Sequence, residues 1–414
     1  MKIYVIGLGV QQHSDFSKEV VAVLNSADVI FGSPRQHEVI NHQINHTRTQ
    51  ALPKLSMLKE QITEHKTIVI LASGDPLYYG IGRWVSQQFE SDQLVFYPAV
   101  SSIQSACHQL GLSLQDCEVI SLHGRPLSNI KRKLLAHTNL VILTDQNSQP
   151  KHLANECLIA GLTDAIIYVC EQLGYADQKV KSFTVDELLK TDIKFDPLHV
   201  SVIKTGQQTS KLPSFPGFED HLFITDGESG KGMMTKREVR LNILSLLSIQ
   251  NQDVIWDVGA GCGSICVELA YWNNNTNIVA IEHHPERLEC LQANKQKFGV
   301  NNLSIVNAKA PSGFANLPKP NKVFIGGSGG ELNEILKQVW QTLPIGGLLV
   351  ASAVTENTKH QLLEFMQAQQ LHQQCDSQTF QIAVSQSKKL AGQIMYRPNL
   401  PVTLFKLTKT EITQ

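Results

Sequence analysis

Two glycine-broken stretches hold the residues best placed to do chemistry. In DVGAGCGSICVELA, Gly259, Gly261 and Gly263 follow an apolar run that reads as a strand and open one that reads as a helix. Glycine lets a backbone approach a ligand closely, and the first turn of a helix presents N–H groups without partners in the helix. Such a turn suits a nucleotide-like ligand, and it suits a tight strand-to-helix connection equally well. The spacing is GxGxG, whereas the dinucleotide fingerprint wants a glycine where this chain has Ser264. The next apolar run, NIVAIE, ends on Glu282, the place where an acid accepts from the two hydroxyls of a ribose. Asp257, just ahead of the first glycine, either contacts a cofactor or orients the turn.

Nearer the N-terminus, VIGLG puts Gly7 and Gly9 at the end of one apolar run, and LASGDPLYYGIG puts Gly74, Asp75 and Pro76 after another. Each alone is ordinary turn chemistry. His123, Gly124 and Arg125 follow VISL. A guanidinium grips a carboxylate bidentately, so Arg125 is a candidate for an acetate or propionate group; a surface arginine with a structural partner is the alternative.

Two tempting motifs fail on counting. GESGKG has Thr225 and Gly232 where a phosphate-binding GxxxxGK[ST] loop needs Gly and Ser or Thr, which excludes ATP hydrolysis on that motif. His283 and His284 have no third ligand at metal spacing, so they read as surface histidines at a helix start and no metal is expected.

These residues need elements to hold them. Through the first 205 residues, apolar runs (KIYVIGLG, ADVIFG, TIVILAS, LVFYPA, EVISLHG, NLVILTD, AIIYVCEQLG, LHVSVIKTG) alternate with helical-period stretches, which argues for α/β organisation. GQQTSKLPSFPGFEDH then lacks apolar periodicity, and residues 206–219 read as a linker. From residue 220 to 414, TKREVRLNILSLL reads as a helix, and DVIWDVG, NIVAIEH, LSIVNA, KVFIGG and GGLLVASAV read as strands of a doubly wound, Rossmann-like sheet. QIAVSQSKKL and LPVTLFKLTK are expected as two strands of an antiparallel hairpin at its edge.

Composition narrows the partners. Against 36 Lys and Arg stand 37 Asp and Glu, a net charge of -1, so no general affinity for nucleic acid or an anionic membrane is expected. No segment approaches the roughly 20 apolar residues that span a bilayer, and a soluble cytoplasmic protein is expected. The eight cysteines include no CxxC pair and are expected to be reduced, mostly buried thiols.

Thr235 in GMMTKREVR, the DVGAGCGS turn, Glu282, AKAP at residues 308–311 and FIGGSGGELNEILK resemble the class I methyltransferases that methylate C15 of a corrin precursor and decarboxylate its C12 acetate. The resemblance runs from about residue 220 to the C-terminus. It implies that S-adenosylmethionine touches Thr235, Asp257, Gly259, Ala260, Gly261, Cys262, Gly263, Glu282, Ala308 and Ala310. That family commonly has Gly-Asp where this chain has Ala308 and Lys309. A lysine cannot accept from the adenine amino group, so backbone at Ala308 or Ala310 has to. In GGSGG, residues 326–330, bare backbone would let a broad, flat macrocycle approach over Gly327, Ser328 and Gly329; a loop with no substrate role is the other reading.

The first half, residues 1–205, resembles the tetrapyrrole methylases, in particular the branch that methylates C5 of the same precursor, on VIGLG, the GDP loop, YPAVSSIQSACHQLG and VISLHGR. This implies a tetrapyrrole-methylase fold of two α/β subdomains, with S-adenosylmethionine folded between them against Gly7, Gly9, Gly74, Asp75, Pro76, Ser101 and Ser102. Glu171 in CEQLG resembles a position near that cleft. Many relatives continue the first loop as Pro-Gly, where Val10-Gln11 stand here.

Together the halves imply a bifunctional enzyme of cobalamin biosynthesis with two S-adenosylmethionine sites, a tetrapyrrole (precorrin) substrate held in part by His123 and Arg125, and a tendency to form homo-oligomers. A cobalt-containing version of the same steps is the alternative. A nicotinamide-dependent reductase would account for the glycine turn and Glu282 but not for the first half. A non-catalytic tetrapyrrole carrier is the remaining class. No residue stands out as an acid or base, and positioning is expected to contribute more than proton transfer.

Overall fold

A computed structural model describes residues 1–11, 15–42, 44, 48–228 and 232–411; Ser229, Gly230 and Lys231 of the GESGKG stretch lie outside them. The chain divides into two compact units, Met1–Lys211 and Leu212–Gln414.

In the first unit, five parallel strands lie in the order Thr49–Ala51, Val29–Gly32, Thr67–Ala72, Lys2–Gly7 and Leu94–Tyr97. Parallel strands are covered on both faces and so read as continuous apolar runs. Ile3, Val5, Ile68 and Ile70 enter one core, and Ile6, Ile30, Val69 and Leu71 enter another. A second sheet runs Cys117–Ser121, Asn139–Leu143, His199–Lys204, Ile166–Glu171 and Lys179–Thr184, parallel only between its first two strands. Two strands go unannounced in the sequence: Thr49–Ala51 is too short, and Lys179–Thr184 is polar and mostly exposed.

The stretch 206–219 is bonded along much of its length. Gln207 and Gln208 donate backbone N–H groups to Asp164 Oδ2 at 2.8 and 3.2 Å, and Lys211 N–H donates to the Ala160 carbonyl at 2.8 Å, all within the first unit. In the second unit, Tyr271 donates to the Pro213 carbonyl at 3.1 Å, and Phe218 is buried. Bonds from side chains to backbone hold this segment, and they leave no periodic apolar pattern to read.

The second unit is built on a seven-stranded sheet ordered Leu303–Asn307, Asn277–Glu282, Val254–Val258, Lys322–Ile325, Leu348–Ala353, Val402–Lys409 and Cys375–Ile382. The first five strands are parallel, and Val402–Lys409 runs antiparallel to both of its neighbours. Ile255, Ile278 and Ala280 face one core, and Trp256, Val258, Val279 and Ile281 the other, the period-two alternation of a strand. Each valine or isoleucine side chain so buried contributes about 1.5–3 kcal/mol. Because Val254–Val258 lies between Asn277–Glu282 and Lys322–Ile325, chain order reverses at its carboxyl end, where ligands of such sheets bind.

The closing stretch differs from expectation. It forms four strands, and QIAVSQSKKL straddles two of them: Cys375–Ile382 pairs with Val402–Lys409 at the sheet edge, while Ser385–Leu390 and Gln393–Pro398 form a separate two-stranded arm. The arm is exposed throughout, so it has no buried face to impose an alternating pattern.

Candidate active site

Strand Val254–Val258 delivers Asp257 and the glycine turn, and helix Ser264–Trp272 starts directly after it. Gly263, at φ 84°, occupies the N-cap without a side-chain cap, so the first helical N–H groups are left for other partners. Around the turn opens a cavity of ≈ 870 Å³. Its lining includes Thr235, Asp257, Gly259, Ala260, Gly261, Glu282, Ala308, Ala310, Gly327, Ser328 and Gly329. Cys262 and Gly263 stand outside the lining. Cys262 is fully buried with Sγ 3.5 Å from Asp226 Oδ1, and a β-carbon on Gly263 would collide with Leu291.

The turn is a tight strand-to-helix connection, and it also borders the cavity. A β-carbon on Gly261 would lie 2.6 Å from the Met233 carbonyl oxygen, so close packing demands glycine, and the same bare backbone faces the cavity. Asp257 is buried; its Oδ2 accepts from the Cys266 N–H at 3.1 Å, while Oδ1 has no partner. Burial pushes its carboxyl up to about 7, and the charge of Glu282 adds to the effect. Glu282 is buried too, with Oε2 accepting from the Gly261 N–H at 2.8 Å and Oε1 from His283 and His284 N–H groups at 2.8 and 2.9 Å. A carboxylate offers about four acceptor sites, so acceptor capacity remains for a ribose hydroxyl.

At the carboxyl edge of strand Lys322–Ile325, Gly327, Ser328 and Gly329 face the cavity, with His283 and Lys309 beside them. Lys309 is half-exposed and pairs with Glu331 at 3.3 Å. Sequence reasoning did not single out Met233, Met234, Lys236, Arg287, Ser352, Gln386, Asn399 or Leu400, which also line the cavity. They come from separate segments that only the fold brings together. Met233 is set by Asp226, whose Oδ1 accepts from its N–H at 2.7 Å and whose Oδ2 accepts from Arg287 Nε at 3.1 Å. The Met233 bond, then the arginine, hold the Asp226 carboxyl below its ordinary range.

In the first unit, Gly9 and Gly74 form an isolated bridge at φ 73° and 78°. With Ser102 they line a cleft of ≈ 90 Å³. Gly7, Asp75, Pro76 and Ser101 support these loops. A β-carbon on Gly7 would lie 3.0 Å from Pro76 Cδ, Asp75 Oδ1 accepts from Leu77 and Tyr78 N–H groups at 2.8 and 3.0 Å, and Ser101 Oγ caps helix Ser102–Leu110. Val10 stays in the cleft lining, and its carbonyl packs on Gly174, where a β-carbon would approach to 2.5 Å. A cavity of about 150 Å³ is what admits a benzene ring, so this cleft does not hold a nucleoside as it stands.

His123 lines a second, wider basin of ≈ 1030 Å³ together with Lys151, His152 and Lys194. Arg125 is not in its lining; its Nη1 donates to the Ser121 carbonyl at 3.3 Å. Glu171 stays out of the cleft and accepts from the Asp196 N–H at 2.7 Å, while Cys170 and Leu173 line it. His199 lines both cleft and basin. Its Nδ1 lies 2.6 Å from the Asp196 carbonyl, and its Nε2 lies 2.9 Å from Thr144 Oγ1. Burial lowers its pKa below the ordinary histidine range.

Comparison with known proteins bears on both units. A family model described as tetrapyrrole (corrin/porphyrin) methylases matches residues 2–189, and one described as a precorrin methyltransferase domain matches residues 225–409. The chain is 31% identical over 409 residues to a protein of Sinorhizobium sp. named precorrin-6Y C(5,15)-methyltransferase (decarboxylating), covering 98% of this chain and 96% of that one. It is 29% identical to a protein of the same name from Mycobacterium tuberculosis, over 98% of this chain and 100% of the relative. A Salmonella typhi protein named cobalt-precorrin-6B C(15)-methyltransferase (decarboxylating) is 32% identical over 47% of this chain and 96% of its own length. By its full-length match, the chain belongs to the precorrin-6Y C(5,15)-methyltransferase (decarboxylating) family.

Proposed function

We propose that this chain methylates a precorrin-6Y-type macrocycle at C5 and C15 and removes the carboxyl of its C12 acetate, using S-adenosylmethionine at two sites. The second unit carries the C15 methylation and the decarboxylation, and the first unit carries the C5 methylation. The observation that carries this reading is the ≈ 870 Å³ cavity at the carboxyl edge of the second unit's seven-stranded sheet, with the unpartnered Asp257 Oδ1 in its wall. The full-length similarity to precorrin-6Y enzymes favours the metal-free substrate over the cobalt form.

The residues present fit the donor in the second unit. A buried, half-satisfied carboxylate is complementary to an ammonium group, and Asp257 offers one. Glu282 has acceptor capacity for a ribose hydroxyl and fixes the glycine turn through Gly261. S-adenosylmethionine, when bound, supplies a methyl group on a sulfonium that departs readily to a carbon nucleophile. The chain's part is to hold the macrocycle carbon in line and keep water away. The bare backbone of Gly327 and Gly329 lets a flat ring come close, and Met233, Met234 and Leu400 form an apolar wall. Electrons released on loss of carbon dioxide pass into the conjugated ring, which makes the substrate its own acceptor.

In the first unit the ≈ 90 Å³ cleft between the Gly9 and Gly74 loops has to widen before a donor enters. The basin beside it offers Lys151, His152 and Lys194 to the carboxylates of a polyanionic ring. The free, mostly buried thiols fit a reducing, cytoplasmic compartment. The exposed apolar side chains of the arm, Ile394 and Tyr396 among them, support self-association.

Calorimetric titration tests the reading against a nicotinamide enzyme. S-adenosylmethionine should give saturable uptake by the second unit and NADH none; uptake of NADH alone would overturn it.

A further inference from the structure

Beneath the glycine turn lies a buried ion pair that the chemistry above does not use. Arg240 sits on helix Arg237–Leu247 and Glu268 on helix Ser264–Trp272, the helix that the turn opens. Both side chains are fully buried, with Nε donating to Oε2 at 2.7 Å. The rest of the guanidinium bonds two backbone carbonyls and a second carboxylate. Nη1 donates to the Thr235 carbonyl at 2.7 Å and to Asp220 Oδ1 at 3.2 Å, and Nη2 donates to the Phe218 carbonyl. The plane also lies 4.9 Å from the ring centroid of Phe223. Glu268 in turn accepts from the Gly217 and Phe218 N–H groups.

Two of those partners belong to the cavity wall. Thr235 and Asp220 line it, as do Met233 and Lys236 on either side of the threonine. The same stretch is stitched to the glycine turn. The Met233 carbonyl accepts from the Cys262 N–H at 3.3 Å, and the Thr235 N–H donates to Ser264 Oγ at 3.2 Å. One guanidinium thus ties the wall stretch Met233–Lys236 to the helix that carries the turn. Stability does not account for such a pair. Desolvating two charges costs more than their attraction returns in many proteins, and apolar replacements of similar volume are often neutral or stabilising. What apolar side chains cannot do is fix the carbonyls of Thr235 and Phe218 in place.

We propose that Arg240 is a positioning residue for methyl transfer in the second unit. By holding the Thr235 carbonyl against helix Ser264–Trp272, it sets the Met233–Lys236 stretch at the spacing at which the cavity grips the methyl donor. This rests on the proposed S-adenosylmethionine site of that unit.

The test separates positioning from stability. In the full-length protein, Arg240→Met leaves Glu268 buried and unpaired, and the Tm falls. Combining it with Glu268→Leu removes the stranded charge, and the Tm recovers in part, the Gly217 and Phe218 N–H groups having lost their acceptor. The KM for S-adenosylmethionine, read by carbon dioxide release, stays raised by about tenfold or more in the double variant while kcat stays within about twofold, because uniform binding of the donor is what is lost. C5 methylation is unchanged in both variants and serves as the internal control. Return of the donor KM together with the Tm would overturn the proposal and leave Arg240 a structural residue. If the double variant recovers none of the lost Tm, Arg240→Lys decides on the same readout. It keeps the charge beside Glu268 but loses the fork to Thr235 and Phe218, so an unchanged donor KM contradicts the proposal. A wild-type protein that releases carbon dioxide without the donor would instead sink the function assigned to the unit.

Discussion

Gly259 and Gly327 stand so close that a β-carbon on Gly259 would lie 2.7 Å from the Cα of Gly327. The glycine turn and the GGSGG loop are therefore packed backbone to backbone, and a change at one displaces the other. Gly259 also has φ 69°, a conformation that L side chains rarely adopt. Gly259→Ala is expected to lower the Tm of the second unit by several degrees, since overpacking costs about 1–3 kcal/mol. It should also abolish C15 methylation and carbon dioxide release together while C5 methylation persists. Retention of either second-unit step in a folded variant would show that the two loops are independent.

With the donor in the proposed site, Asp257 is expected to make its binding pH-dependent. Its folded carboxyl is raised to about 7 from 3.8, so its contribution to the stability of the ligand-free unit is fully present below about 3.8 and lost as pH rises through 7. Unfolding of the ligand-free protein should show this loss between pH 4 and pH 7, and Asp257→Asn should flatten it. An ammonium beside Oδ1 favours the charged carboxylate, so binding of S-adenosylmethionine at pH 6.5 should release a proton. Calorimetry in two buffers of different ionisation enthalpy measures that proton, and equal heats in both would remove Asp257 from the donor site.

Glu282→Gln turns an acceptor toward a donor: an amide nitrogen replaces one of the oxygens that bond Gly261 and the His283–His284 backbone. Loss of a charged acceptor is expected to weaken donor affinity by about tenfold to a hundredfold. Equilibrium dialysis with labelled donor checks this, and an unchanged affinity would place the ribose elsewhere.

The glycine turn, Glu282 and the GDP loop were legible because each is a local pattern: a few residues at short spacing next to an apolar run. Arg240, Asp226 and Met233 were not, because their bonds close over long stretches of chain and no spacing rule links Arg240 to Glu268 or Asp226 to Arg287. The strands showed in the sequence where a buried face demanded apolar residues, as at Val254–Val258; in the arm, which is exposed on both faces, Gln393–Pro398 went unread and Ser385–Leu390 was merged with the end of Cys375–Ile382. Arg125 has the chemistry to grip a carboxylate, yet it bonds the Ser121 carbonyl and is absent from the basin that His123 lines.

Leu400 is 77% exposed, yet it lines the cavity. An apolar side chain so open to water has little to lose in stability, within about 0.5 kcal/mol. Leu400→Ser should therefore leave the Tm and the donor affinity unchanged while raising the KM for the macrocycle severalfold, as measured by initial rates of carbon dioxide release. An unaltered macrocycle KM would place the ring away from this part of the wall.

Lys309, in the cavity lining, pairs with Glu331. A half-exposed pair contributes at most about 1 kcal/mol, so Lys309→Ala should change donor affinity by less than about fivefold. A larger loss in dialysis would mean that the ammonium, and not the backbone at Ala308 and Ala310, serves the donor.

The division of labour between the units is tested most directly by incubating full-length wild type and Gly259→Ala with macrocycle and methyl-labelled donor, then locating the label by NMR. Wild type should carry label at both C5 and C15 with loss of carbon dioxide, and the variant at C5 alone with the C12 acetate intact. Label at C15 in the variant, or loss of both methyl groups from a protein whose first unit remains folded, would contradict two separate methyl-transfer sites.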